Sequence, residues 1–302
     1  MKKLLPTLFC MLVAANAAPA RLNVVATTAE FGALAQAVGG ELVTITVLAK
    51  PTEDPHFVDA KPSYLLKLNR ADVLIEGGAE LESGWLPPLL DGARNGRLAA
   101  GQPGRLAIAD GLALLEVPTE LDRSKGDLHA KGNPHFMTDP ENARHAARRI
   151  AAGLAAVDPA HKAGYEAKLQ AWLQKLDAKA AGWQKRLAPF AGARVAAFHN
   201  SWPYFARRFN LKMDLFLEPK PGIPPSPAQL ATVLATIKRE RIKAIVIEPY
   251  QNRHMAETIA RETGARMVDF AQYPGGLKGT EGDYLALLDK LVTTLAAALG
   301  AT

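Results

Sequence analysis

Seven histidines, His56, His129, His135, His145, His161, His199 and His254, are the side chains here best suited to bind a metal or move a proton near neutral pH. Three of them share a setting. His56 lies in "TEDPHFVDAKP", just beyond an apolar run; His135 lies in "GNPHFMTDP", just before a helical pattern; His199 directly follows the run "RVAAF" and precedes "SWPYF". Each is stiffened by a nearby proline, at Pro55, Pro134 and Pro203, so a ligand held there loses less freedom on binding. Imidazole is a common zinc ligand, and three converging histidines can fill three corners of a tetrahedron. One loop histidine alone is by default a solvated or hydrogen-bonded residue; three at equivalent positions need a shared explanation.

Those positions are set by alternating strands and helices. The spacing predicts strands over 22–26, 42–48 and 71–78, a helix over 30–38 and another starting near Pro62. The alternation resumes with strands over 194–198, 212–218, 243–249 and 265–271, then a final amphipathic helix through "GDYLALLDKLVTTLAAAL". Short apolar strands alternating with helices predict two similar α/β lobes, each with a mainly parallel sheet. In such sheets the carboxyl ends of the strands face the ligand crevice, which is where His56, His135 and His199 are all expected to fall. Between the lobes, Asp139 and Pro140 read as an N-cap and first helical residue, and Asp158 with Pro159 repeats the device. Tyr165, Leu169, Trp172, Leu173, Leu176, Ala180, Trp183 and Leu187 then mark one buried stripe. A helix of about 30 residues would be roughly 45 Å long and could brace both lobes. The expected divisions are a signal peptide over 1–20, an N-terminal lobe over 21–138, a helical region over 139–190 and a C-terminal lobe over 191–302.

Composition narrows the classes. The 302 residues are 48% hydrophobic, which fits a globular chain with a substantial core. Residues 1–20, "MKKLLPTLFCMLVAANAAPA", have the basic start, short apolar run and small-residue end of an export signal, with cleavage after Ala17, Ala18 or Ala20. No later stretch reaches the ~20 apolar residues a spanning helix needs. Cys10 is the only cysteine and lies in that signal, so neither a disulfide nor a thiolate metal site is expected, and "TLFC" is a poor lipidation sequence. The formal charge of +6 is modest, and the basic runs at 144–149 and 238–243 lack interleaved aromatic residues, so they read as solvated helix faces rather than a nucleic-acid surface. Proline at 221 and 224 nominally matches P-x-x-P, but Ser226 followed by Pro227 reads as a helix start after a rigid loop.

The ordered segments "DPHFVDAKPSYLLKLNRADVLIEGGAELE", "GNPHFMTDPENA", "FHNSWPYFARRFNL", "LEPKPGIPPSPAQL" and "VIEPYQNRHMAETIARETGA" resemble the metal-binding substrate-binding proteins of bacterial ABC transporters. The resemblance covers nearly the whole chain after the signal. It implies two α/β lobes joined by one long rigid helix, with a single metal between them. Carried over by motif, the family's histidine ligands correspond to His56, His135 and His199. Some manganese-binding relatives have a carboxylate where His199 stands, and nitrogen there suits zinc better than the harder manganese ion. The fourth ligand departs from the pattern: many relatives supply an aspartate after the last strand, where this chain reads "VDFAQYPGGLKG". The fourth position stays open between three candidates: Asp269, which is expected within the strand; Glu248, at the end of "KAIVIE", favoured as a ligand or else orienting a histidine; and a water or chloride completing the shell.

The expected function is a periplasmic receptor that captures Zn²⁺ and passes it to a permease and an ATPase, as a monomer without membrane insertion. Manganese and iron are the alternative cargoes. A zinc hydrolase is a different class, but the chain has no H-E-x-x-H motif, G-x-S-x-G elbow or phosphate-binding glycine loop. A surface adhesin is a third class, for which no dedicated module is visible. His145 and His161 read as solvated helix residues, while His129 lies where some zinc-binding relatives carry histidine-rich insertions. Glu53 and Asp54 are expected to shape the His56 loop rather than bind metal.

Overall fold

The computed structural model describes residues 21–119, 129–219 and 223–300. The expected export signal, with Cys10, lies outside the described residues. The first lobe contains strands β1 (Leu22–Ala26), β2 (Val43–Val47), β3 (Val73–Glu76) and β4 (Arg105–Ala107), with helices α1 (Ala29–Gly39), α2 (Pro62–Arg70) and α3 (Leu86–Ala93). Its sheet runs β2-β1-β3-β4 and every pair is parallel. The second lobe holds β5 (Arg194–Ala197), β6 (Lys212–Phe216), β7 (Ala244–Ile247) and β8 (Arg266–Asp269), with α6 (Pro203–Phe209), α7 (Pro227–Glu240), α8 (Arg253–Thr263) and α9 (Tyr284–Leu299). Its sheet runs β6-β5-β7-β8, again wholly parallel. The two sheets therefore share one topology, with the centre-strand crossover that opens a crevice at the strand ends.

Between the lobes lie α4 (Pro140–Val157) and α5 (Lys162–Leu187). α5 has 26 residues, about 39 Å at 1.5 Å per residue. It is shorter than the pattern suggested because Asp158 and Pro159 open a separate 3-10 turn, Pro159–His161, and another closes over Ala188–Phe190. Asp139 caps α4 as expected, accepting from the Glu141 N–H. Asp158 does something else: its carboxylate accepts from the Tyr165 hydroxyl at 2.8 Å and pairs with the His161 ring at 2.7 Å. The stripe on α5 is buried except at Ala180, which is half-buried.

That stripe explains the bracing. One continuous core contains Val24 and Phe31 of the first lobe, Tyr165 to Leu187 of α5, and Val195, Val246 and Leu295 of the second. Smaller cores seal the outer sheet faces, under α2 and α3 in one lobe and under α7 and α8 in the other. Polar ties reinforce the joint. Arg208 of α6 donates from two guanidinium nitrogens to the Asp139 cap at 2.7 and 3.0 Å, and the Tyr284 hydroxyl of α9 donates to the Met137 carbonyl at 2.7 Å. A parallel bidentate pair on a buried carboxylate fixes geometry as well as charge.

Candidate metal centre

His56 is placed by the loop after β2. The Asp54 carboxylate accepts from the His56 backbone N–H at 3.0 Å, the local turn aspartate favours, and the same oxygen lies 2.9 Å from the ring Nδ1. Trp85, beside α3, donates its indole N–H to the Pro55 carbonyl at 2.9 Å, so the loop is held from below. Glu53 accepts from the Lys50 N–H at 3.0 Å. Both acids thus shape the loop, as their positions suggested.

His135, expected at a strand end, comes instead from the segment that enters α4, where it precedes the 3-10 turn Phe136–Thr138. It is 4% exposed, and its backbone N–H donates to the Asn133 side chain at 3.0 Å. Asn133 in turn donates to the Asn200 carbonyl at 2.9 Å, while the Tyr204 hydroxyl donates to the Asn133 carbonyl at 2.7 Å. The His135 and His199 segments are therefore tied directly to each other. The His135 Nδ1 atom is buried with no hydrogen-bond partner.

His199 follows β5. The Glu218 N–H donates to the Phe198 carbonyl at 3.0 Å, continuing the pairing of β5 with β6 and bringing Glu218 beside the ring. The His199 Nδ1 and Glu218 Oε2 are 3.1 Å apart. Two of the three rings thus carry a carboxylate on Nδ1, the arrangement that orients metal-binding histidines and frees Nε2 for the ion.

The rings converge. Centroids lie 5.1 Å apart for His56 and His135, 5.5 Å for His135 and His199, and 6.0 Å for His56 and His199. Imidazoles on one tetrahedral zinc, with 2.0–2.1 Å bonds, would have centroids about 5.2 Å apart. The set is gathered but not closed: among the described residues, no three His, Cys, Asp or Glu side chains enclose a point as a finished coordination shell. His129 joins the group, its ring stacked 5.2 Å from that of His56.

Charge is divided among the rings. Burial, then the neighbouring histidine charges, holds His135 well below its ordinary range, and the same causes push His129 down to about 4. Burial also acts to lower His199, but the hydrogen bond and negative charge of Glu218, with Glu248 and Asp54, outweigh it and raise the group. For Asp54 the upward push of burial is outweighed by the hydrogen bonds and charge of His56. His129 and His135 are therefore neutral donors at pH 7, the form that binds metal.

Glu248, one residue beyond β7, is 2% exposed. Its Oε2 accepts from the Tyr250 hydroxyl at 2.5 Å and the Gln272 amide at 2.7 Å, and its Oε1 from the Gln251 amide at 3.2 Å. Asp269 is the last residue of β8 and pairs with Arg253 at 2.5 Å on the exposed side of the strand. His145 meets the Asp110 carbonyl at 3.0 Å, and His254 is exposed in the first turn of α8. The cage of Tyr250, Gln251 and Gln272 around Glu248 was not read from sequence; its only signal was polar residues just past β7 and β8. A cavity of about 320 Å³ opens beside His56 and His199, walled by Phe57, Phe198, Ile223 and Met255 with Glu218 at its edge.

Residues 24–298 match the family described as zinc-uptake complex component A, periplasmic, or ZnuA. The iron-binding protein YfeA of Yersinia pestis is 25% identical over 288 residues, 93% of this chain and 87% of that protein. The manganese ABC transporter substrate-binding lipoprotein ScaA of Streptococcus gordonii is 22% identical over 253 residues, 82% of this chain and 78% of that one. A crystal structure of ZnuA superposes with a TM-score of 0.77 at 27% identity, covering 92% of this chain and 99% of the other. A match spanning both lobes, the joining helices and all three converging histidines leaves one conclusion: the chain belongs to the ZnuA family of zinc-uptake complex components.

Proposed function

We infer that this chain is the periplasmic receptor of a metal-ion ABC importer, capturing Zn²⁺ on His56, His135 and His199 and delivering it to a permease driven by an ATPase. Family membership makes it a substrate-binding protein rather than an enzyme. The observation that carries the zinc reading is the three-ring cluster, in which His56 and His199 have their Nδ1 atoms on Asp54 and Glu218. Neutral nitrogen donors suit zinc better than manganese. Glu248 is the carboxylate candidate for a fourth contact, and its three donors favour its other role, organising the crevice around the histidines.

Export through residues 1–20 and a mature chain starting near Arg21 fit this role. Among the described residues no helix is long and apolar enough to cross a membrane. Competitive loading with zinc, manganese and iron followed by elemental analysis tests the cargo: zinc should predominate, and a protein that retains manganese or iron in its presence would overturn the assignment. Growth of a deletion strain on limiting zinc, restored by the wild-type gene but not by His199→Ala, tests delivery.

A further inference from the structure

His129 was not carried over as a ligand, and its position is specific. Its Nε2 lies 3.2 Å from the His56 Nε2. Two nitrogens bound to one tetrahedral zinc at 2.0–2.1 Å lie about 3.3–3.4 Å apart. The two rings are thus already at the spacing of neighbouring ligands. A hydrogen bond from the His129 Nε2–H to the His56 Nε2 lone pair accounts for the contact, and for both Nε2 atoms to bind one cation that proton would move to the His129 Nδ1, leaving each ring a neutral imidazole.

The backbone holds His129 there. Gly78, Ala79 and Glu80 adopt left-handed conformations, with φ of 73°, 51° and 68°. A run including two residues with side chains in that region is strained, and it needs surrounding structure to sustain it. Glu82 supplies part of this support, its buried carboxylate accepting from the Gly77 and Gly78 N–H groups at 2.7 and 3.2 Å. The turn delivers the Glu80 carboxylate to the Ala130 N–H at 2.5 Å, next to His129. The first lobe thus fixes both His56 and the segment carrying His129.

We propose that His129 is the fourth zinc ligand, completing a four-nitrogen site with His56, His135 and His199. The proposal rests on the three-histidine reading and deepens it. Glu248 competes poorly for that position because metal binding would draw its carboxylate away from Tyr250, Gln251 and Gln272. A four-imidazole shell carries no negative charge of its own, so Asp54 and Glu218 compensate the dication from behind two of the rings. Such a shell sharpens the preference for zinc over manganese.

The test uses cobalt(II) in place of zinc, because a tetrahedral cobalt centre absorbs far more strongly in the visible than a five- or six-coordinate one. Wild-type protein should show the intense bands. His129→Ala, with water in place of the fourth imidazole, should shift these bands and bind zinc at least about 10-fold more weakly, the lower bound for losing even an outer partner of a ligand. X-ray absorption of the zinc-loaded wild type should count four imidazoles, a readout that survives poor folding of the variant. Wild-type bands and zinc affinity in His129→Ala, or three imidazoles by X-ray absorption, would overturn the proposal. So would a shift of the bands in Glu248→Gln with their retention unshifted in His129→Ala. If His56→Ala, His135→Ala and His199→Ala all keep wild-type affinity, the three-histidine reading itself falls, and the fourth ligand with it.

Discussion

The two lobes share one sheet order yet place their chemistry on different strands. In the first lobe the histidine follows the edge strand β2, and buried glutamates, Glu30 and Glu82, lie beyond the inner strands β1 and β3. In the second lobe the histidine follows the inner strand β5, its carboxylate partner Glu218 follows the edge strand β6, and Glu248 follows β7. The parallel topology dictates where a crevice opens, at the carboxyl ends of the strands, but not which residue type stands at each end. His135 belongs to neither sheet; it enters from the segment leading into α4, and through Asn133 and Tyr204 it is tied to the second lobe.

The largest expected effect breaks this division of histidines. His135→Ala and His199→Ala should each weaken zinc binding by more than the ~10–100-fold associated with an outer partner, with far-ultraviolet circular dichroism unchanged. Binding calorimetry measures it, and unchanged affinity in either variant would remove that residue from the site. His254→Ala, in the exposed first turn of α8, is the control and should bind as wild type.

The orienting carboxylates come next. Asp54→Asn and Glu218→Gln should each cost about 10–100-fold in zinc affinity, because each loses a charged partner of a ligand ring. They should differ in pH dependence. Glu218 helps raise the His199 pKa above its ordinary value, so on the proposed site protons should compete with zinc at His199 as pH falls through that raised pKa. Removing Glu218 lowers the pKa, and the pH at which affinity falls off should move downward in Glu218→Gln. Zinc titrations from pH 8 to pH 5 decide it; an unshifted profile would show that His199 is not the competing group.

The same contrast between lobes marks what could be read from the chain. The strands β1, β5 and β7 were legible because their mostly apolar runs, four or five residues long, are too short for a buried helix and alternate with helical segments. β4, with three residues, and α3, which opens on Leu86-Pro87-Pro88, were not assigned: one is too short for periodicity, and the other begins with residues that also make loops. His56 and His199 stood out as proline-stiffened histidines just past strands and His135 through its proline alone, and their grouping as one set rested on the family resemblance. His129's place beside them was not legible, since it depends on a contact with His56, 73 residues away in sequence, and on a left-handed turn at Gly78 to Glu80 whose middle residue, Ala79, carries no turn signal. Long-range pairings of this kind leave no local pattern.

The smallest expected effect on binding separates the buried acids of the two lobes and is read as stability. Glu30 has one carboxylate oxygen on the Thr28 hydroxyl at 2.8 Å and the other without a partner, whereas Glu248 has three donors. Burial, against the opposing hydrogen bond from Thr28, raises the Glu30 pKa to about 8. Glu82 is raised to about 7, again chiefly by burial. Between an unfolded value near 4.5 and these folded values, the folded chain holds protons that the unfolded chain has released, so stability falls as pH rises across that window. Glu30→Gln cannot lose a proton and should therefore stabilise the metal-free protein at pH 8 by about 1–3 kcal/mol, with little gain at pH 5. Glu248→Gln should instead destabilise at both pH values by about 1–3 kcal/mol, since an amide cannot accept all the bonds that the carboxylate accepts. Thermal melts at the two pH values test both. A Glu30→Gln gain equal at pH 5 and pH 8 would mean that folding does not raise the Glu30 pKa above its unfolded value, and that the contrast between its acids and those of the second lobe is one of packing rather than charge.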